Sequence, residues 1–403
     1  MLVRAGYGTG DITITTNADI TTNTGSTRYL GIYGNHFGTG ALTISVNGDI
    51  TAGLGIYTNN SASSTDITVA SGATVNGTGG VAMALVASSS VTSQRVEIQT
   101  GATIIGTVEA SSTVGPIDTL ELGGSGSDSF DLSEIGPKYQ NFEAFNVIGG
   151  TWSFSGATSE TFNVTGGTLG GTGTFGGLNI GNGATIAPGN SIGTINVGNI
   201  TIAQGASYEV EVDADGDSDL INASGTATIN GGTVSVLAQS GDYAASTQYT
   251  ILTAAGGVTG AFSTVTSNFA FLDPTLTYDP NNVYLLLERN ETAFPDVART
   301  PNQRAVAGAL SQFPTGNELL LDVLNQTEAG ARQAFDALSG EIHASVGGAL
   351  LDEGRHVRDA VMGRMIQASY DGTGLGSGGP QNTSGMMMLG YGSKDLGSDM
   401  APL

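Results

Sequence analysis

Short runs of alternating apolar and polar residues recur along the chain. Triplets of β-forming residues read ITI from Ile12, LTI from Leu42, ITV from Ile67, VEI from Val96 and LEL from Leu120, at steps of 30, 25, 29 and 24 residues. A second triplet follows each of the first four: ADI from Ala18, GDI from Gly48, ATV from Ala73 and ATI from Ala102. A third follows in turn: GIY from Gly31 and from Gly55, AMAL from Ala82 and GTV from Gly106. Side chains alternate across a strand, so Ile12 and Ile14, Leu42 and Ile44, Ile67 and Val69 face inward and the threonines between them outward. Three short strands per unit with a loosely fixed period predict a solenoid in which each coil gives one rung to three parallel sheets. A propeller blade needs four strands and about 40–50 residues, more than these steps hold.

The pattern continues through 149–202, where larger corners are expected. From 207 to 288 the strands lengthen and gain aromatics: Tyr208, Tyr243, Tyr249, Phe262, Phe269, Phe271, Tyr278 and Tyr284. These are expected to pack a terminal cap, which a solenoid needs at its end, in preference to forming a sugar-binding platform. At Arg289 the period changes. Thr300 reads as a helix N-cap, Pro301 as the first helical residue and Gln303 as the partner in a capping box. NELLLDVLN (317–325) and AGARQAFDAL (329–338) read as short helices. Ser339 then reads as the cap of a longer helix to about Ser369, in which Ile342, Val346 and Leu350, and again Val357, Val361 and Met365, step by four.

Composition supports the strand reading. Among 403 residues there are 63 Gly, 12% charged and 6% aromatic residues. Disorder combines low hydrophobicity with many charges, and this chain has neither. The net charge is −24, and of 12 basic residues only Arg4, Arg28, Arg95 and Lys138 precede Arg289. Such acidity repels nucleic acid, so no nucleic-acid partner is expected. The absence of cysteine excludes disulfides, thiolate metal sites and cysteine nucleophiles. The start, MLVRAGYGTG, has no signal-peptide core, and no run of about 18 apolar residues occurs.

Candidate chemistry is sparse. DADGDSD (213–219) sets four carboxylates at alternate positions, but the twelfth residue of a calcium loop would be Ser224 and Gly216 comes too early. A solvated acidic turn is expected there. GDSDL (216–220) resembles the GDS motif of an esterase family, whose serine lies near the start of its domain and works with an Asp-x-x-His partner that is lacking here. His36 lies in a predicted corner loop, and His343 and His356 lie 13 residues apart on the predicted long helix. None has a metal-ligand neighbour in sequence. No HExxH, GxSxG or Walker motif occurs. Pectin-degrading β-helix lyases add basic residues along their groove, and this solenoid has only four. No catalytic residue, cofactor site or metal site is therefore assigned, and the chain is expected to be non-catalytic.

GGTLGGTGTFGGLNIGNGATIAPGNSIGTINV (166–197) resembles the last repeats of autotransporter passengers, the proteins of type V secretion. APGNSIGTINV (187–197) is its most specific part. SYEVEVDADGDSDLINASGTATINGGTVSVL (207–237) and YTILTAAGGVTGAFSTV (249–265) resemble their pertactin-like end, which in that family caps the β-helix and nucleates its folding. FPDVARTPNQRAVAGAL (294–310), FDALSGEIHASV (335–346) and VRDAVMGRM (357–365) resemble the linker before the translocator barrel. The resemblance implies a helix threaded through that barrel, with Arg355, Arg358 and Arg364 facing a polar lumen.

The expected fold is all-β, a right-handed parallel β-helix (solenoid) followed by a short α-helical linker segment. Residues 1–148 are expected to be passenger repeats, 149–288 the C-terminal repeats and an autochaperone-like cap, 289–370 the helical linker, and 371–403 a Gly-rich truncated tail. Neither a signal peptide nor a barrel is found in these residues, so a fragment or truncated gene is expected. The resemblance implies a bacterial cell-surface, outer-membrane or secreted protein, acting as a stalk or adhesin of virulence type. Its implied partners are the translocator β-barrel, the outer-membrane assembly machinery and a host-cell or matrix receptor. The remnant of an autotransporter whose enzymatic domain, protease or esterase, lay upstream and a freestanding β-helix carbohydrate enzyme are the alternatives.

Overall fold

The computed structural model describes residues 2–5, 8–61, 63–88, 91–112, 117–239, 243, 246–314 and 317–371. Side chains of 2–5, 341–344, 368, 370 and 371 fall outside that description, as does the predicted tail from 372 on.

The chain winds as a parallel β-helix. The longest ladder, sheet I, stacks parallel strands from Ile12–Thr16 through Ala41–Val46, Ser64–Val69 and Ser93–Gln99 up to Ser246–Ala254. Its register follows the predicted triplets with one shift of two residues: Ile12 pairs with Leu42, Ile67 with Val96 and Val96 with Leu120, but Ile67 pairs with Ile44, the end of its triplet. Ile14, Leu42, Ile44, Ile67, Val69, Val96 and Leu120 are buried, as the alternation requires.

The division into three sheets per coil is corrected. In the early coils the second and third triplets share one ladder, sheet II, which includes Leu30–His36, Ile50–Asn60, Thr74–Ala87 and Thr103–Glu109. The reason is local. At the predicted corner the strands bulge, between Ala52 and Leu54 and between Ile105 and Val108, instead of breaking. Gly106 sits in that bulge at φ 110°, where a Cβ would meet the backbone of Ala82 and Gly80. A bulge bends a strand while keeping the pairing on either side.

Sheet III begins at Ser127–Asp131 and runs to Thr264–Ser267, while sheet II ends at Tyr139–Gln140. Phe130 of the incoming sheet stacks on Tyr139 of the outgoing one, centroids 5.2 Å apart. Beyond this point the corners are smaller than expected. Phe145 pairs with Phe162, 17 residues on, and Phe162 with Leu178, 16 residues on. Two facing sheets lie about 10 Å apart, a gap that large side chains fill. Phe154, Phe162 and Phe175 meet edge-on with centroids 5.4–5.6 Å apart. Each such ring removed from water contributes about 1.5–3 kcal/mol.

The parallel ladder ends in an antiparallel hairpin. Ser246–Ala254 pairs with Asn282–Arg289, which pairs with Leu272–Tyr278. Pro274 in this edge strand offers no N–H to a further strand, a device that blunts an open edge. Tyr208, Tyr243 and Tyr249 are buried beneath, and their hydroxyls donate to the carbonyls of Ile251, Val212 and Asp213 at 2.6, 2.7 and 2.7 Å. Tyr278 stays exposed. The aromatics predicted to pack a cap thus divide into a buried majority and a rim.

Four short helices follow: α1 (Phe294–Val297), α2 (Pro301–Leu310), α3 (Glu318–Leu324) and α4 (Glu328–Leu338). The predicted capping box forms, with Thr300 Oγ1 accepting from Gln303 N at 3.1 Å and Gln303 Oε1 from Thr300 N at 3.2 Å. Gln303 Nε2 also reaches both carboxylate oxygens of Asp336 at 2.9 Å, tying α2 to α4. Phe271, Phe294, Leu310, Leu324 and Phe335 make a second small core. The compact unit therefore runs from Met1 to Ser339.

The other unit, from Gly340, is described as one helix, α5 (Glu341–Asp371). Ser339 closes α4: its N–H returns to Phe335 O and Asp336 O, and its hydroxyl donates to Asp336 O at 2.7 Å. Of the apolar residues spaced by four on α5, Val346, Leu350, Val357, Val361 and Met365 are exposed, Leu350 and Met365 at 63%. Spacing by four shows a helical face but not what covers it. Among the described residues, no helix is long and apolar enough to cross a membrane, which says nothing of strands.

Candidate functional site

The most specific sequence block, 187–197, folds into a corner over sheet III. Pro188 ends the strand Ala184–Pro188 and Gly189 turns the chain at φ 81°. A Cβ at Gly189 would stand 1.8 Å from Ser191 O. The corner is anchored from the next coil by Asp219, which is buried and accepts from Gly193 N and Glu211 N, each at 2.8 Å. Burial raises its pKa to about 7, with the two backbone N–H groups pulling it down and the Glu211 charge pushing it up. The expectation of a wholly solvated acidic turn is thus corrected at one residue. Asp215 and Asp217 are exposed, Asp213 holds their backbone N–H groups at 3.0 and 2.8 Å, and Asp219 is structural. Beside this corner lies a groove of about 300 Å³ lined by Trp152, Ser153, Asn190, Ser191, Glu209, Glu211 and Leu237 among others.

Sheet I presents a second polar group. Arg95 bonds Asp66 at 3.1 Å, Glu97 at 3.0 Å and Glu121 at 2.9 Å. Burial works against its charge, but hydrogen bonds to Glu121, Glu97 and Asp66 outweigh that and raise its pKa. Asn146 donates to Glu121, Asn163 to Asn146 and Asn179 to Asn163, at 3.1, 3.3 and 2.9 Å. Side chains held by one another in this way make a rigid polar face.

Asp118 is the third. It is fully buried at an inward position, and neither carboxyl oxygen has a hydrogen-bond partner among the described residues. Its register neighbour Gln94 is equally buried and has an unpartnered Nε2, while its Oε1 accepts from Ser111 N at 3.2 Å. Burial, then the Glu143 carboxylate, raise the Asp118 pKa to about 7. The Ser111 backbone N–H acts in the opposite direction.

The histidines do not converge on these groups. His36 ends the strand Leu30–His36, not a loop, and is buried; its Nδ1 accepts from Gly38 N at 3.0 Å and its Nε2 lies 3.1 Å from Gly10 O. That arrangement is the neutral ring with Nε2–H donating. His356 is exposed on α5, and the His343 side chain lies outside the described residues. Among the described residues, no three His, Asp or Glu side chains come together as a metal site.

Motif reasoning missed Asp118, Asp219 and Arg289. Their signal was parity: Asp118 is in phase with Leu120 and Leu122, Asp219 with Ile221 and Ala223, and Arg289 with Val283, Leu285 and Leu287, all of them buried. A charged residue in phase with a buried row marks a place where the fold holds a charge.

No family model matches the chain. An extracellular serine protease of Serratia marcescens is 30% identical over 249 aligned residues, covering 49% of this chain and 24% of that protein. A second extracellular serine protease of the same organism is 26% identical over 252, with the same shares. The match thus spans about a quarter of each relative's length. It fits the passenger resemblance and export from the cell. It overturns the expectation of a non-catalytic chain, because the proteins it aligns with are named as proteases. The missing motifs could not carry that exclusion, since they were sought in a stretch that matches only a quarter of a known protease.

Proposed function

We propose that this chain is the β-helical part of an autotransporter passenger of the extracellular serine protease kind, forming the stalk that carries a secreted protease and helps it fold outside the cell. The observation that carries this reading is the alignment with the two Serratia marcescens proteases over half of the chain. A closed parallel ladder ending in a hairpin suits it. Such an end covers the last parallel strand and gives the coils before it a surface on which to stack. The exposed apolar residues of α5, with Arg355, Arg358 and Arg364 among them, suit a helix that a translocator barrel encloses. Adhesion has no feature of its own in the described residues and forms no part of the proposal.

The test is a chimera. The stretch of one Serratia marcescens protease that aligns with this chain is replaced by the residues of this chain. Protease activity in the culture medium is then measured. Active enzyme in the medium is expected. A chimera that is made, stays inside the cells and is degraded would refute the reading.

A further inference from the structure

Where the hairpin meets the helices, a groove of about 390 Å³ opens between the end of Asn282–Arg289, α1 and the α2–α3 corner. Its apolar wall is Phe294, Phe313, Leu320 and Leu324, of which Phe313 is 41% exposed. At its inner end the Arg289 guanidinium lies 5.2 Å from the ring centres of both Phe271 and Phe294. Nη1 donates to Phe271 O at 3.0 Å and Asn290 Oδ1 at 3.1 Å, and Nη2 to Thr292 O at 2.8 Å. A guanidinium has five N–H donors. Those three bonds leave Nε–H and one Nη2–H without an acceptor among the described residues. Arg289 also makes no ion pair among them, in a chain of net charge −24. Burial lowers its pKa, and no carboxylate compensates.

We infer that this groove binds a carboxylate carried on a short apolar chain, the C-terminus of a peptide ending in a leucine-sized residue. The two spare N–H groups suit a carboxylate, which a guanidinium can hold by two bonds. The wall beyond them takes one aliphatic side chain. Thr292 and Ser311 line the same groove. The Ser311 hydroxyl already donates to Ala307 O at 2.9 Å, but its oxygen and that of Thr292 can still accept from a peptide amide N–H, which a fatty acid lacks, so a peptide end fits better. Glu291, exposed in the lining, opposes any anion and limits affinity.

N-acetyl-leucine, N-acetyl-leucinamide and octanoate are titrated into the full chain, with the methyl signals of Leu320 and Leu324 followed by NMR. N-acetyl-leucine is expected to shift them, with the amide and octanoate each weaker by about tenfold or more. Glu291→Gln, which touches no core, tightens N-acetyl-leucine binding by about two- to threefold by removing a like charge. Arg289→Gln abolishes it. Equal binding of acid and amide, tighter binding of octanoate, or no gain in Glu291→Gln would each overturn the assignment. The Glu291 and amide comparisons hold even where Arg289→Gln fails to fold.

Discussion

Replacing Asp118 by Asn should stabilise the protein at alkaline pH and leave it unchanged in acid. Asp118 is buried, and among the described residues no donor meets either oxygen. Its pKa is about 7 in the fold against an ordinary 3.8. The folded chain therefore binds this proton more tightly than the unfolded chain. Stability is fully present below about pH 4, where both states are protonated, and falls as pH rises to about 7, where the folded carboxyl must ionise. Each pKa unit is worth about 1.4 kcal/mol, so the full shift amounts to about 4 kcal/mol as an upper bound. Relaxation of the corner and water entry reduce it, and about 2 kcal/mol is a realistic yield.

The assay is urea unfolding of wild type and Asp118→Asn at half-unit steps from pH 4 to pH 8.5, followed by circular dichroism. Only the difference between the two proteins is used, because Asp219, also raised to about 7, and the other carboxylates titrate in both. The difference in midpoint should be near zero at pH 4 and should grow between pH 5 and pH 8 in favour of the variant. A difference that is flat with pH, or a variant less stable at pH 8, would show that Asp118 is stabilised as the anion and that this reasoning is wrong.

Phe162→Ala, at the centre of the edge-on cluster with Phe154 and Phe175, should cost about 3–5 kcal/mol and release hydrogen-exchange protection first in the coils around 145–180. Gly189→Ala should cost at least about 2 kcal/mol, because the added methyl meets the Ser191 carbonyl. Gly183→Ala, at φ 80° with open space around it, should cost only about 1 kcal/mol, and thermal unfolding separates the two. Thr300→Ala should remove about 1 kcal/mol with its cap. Gln303→Ala should remove more, because it also releases Asp336; urea midpoints in the reverse order would refute the α2–α4 tie.

Coil positions were legible because each strand in the early coils carries its own inward row, and Ile14, Ile44, Ile67, Val96 and Leu120 fall on one column of the ladder. The number of sheets was not. A bulge at Gly106 and a full corner look alike in sequence, since both call for glycine between two β-forming runs. The narrowing after Tyr139 was hidden for a related reason. Coil length is set by which corners survive, and the sequence shows the strands more plainly than the turns. The Thr300 capping box was legible residue by residue because its bonds are local, within three positions. Ser339 stands between two helices and by the same local logic can serve either one; its hydroxyl bond to Asp336 lies on the α4 side.

The charged residues need a different reading from the apolar ones. A motif search asks which residue types stand near one another along the chain, and it returned an acidic turn at 213–219 and nothing at 118 or 289. Phase asks which face a residue must occupy. Asp118, Asp219 and Arg289 all stand in phase with buried rows, and the fold treats each differently. Asp219 has two backbone N–H groups and fixes the corner of the most specific sequence block. Arg289 has three acceptors, two rings and donors to spare. Asp118 has no hydrogen-bond partner among the described residues. Burial without a partner costs a charged group most, so of the three Asp118 is the one whose removal should gain stability, and Asp219 the one whose removal should lose it. Asp219→Asn, which keeps the shape but replaces one accepting oxygen with a donor facing a backbone N–H, should therefore destabilise at pH 4, where the raised pKa of either residue costs nothing and Asp118→Asn is near neutral. Equal stability of the two variants at pH 4 would show that inward phase alone, without the count of partners, decides the cost.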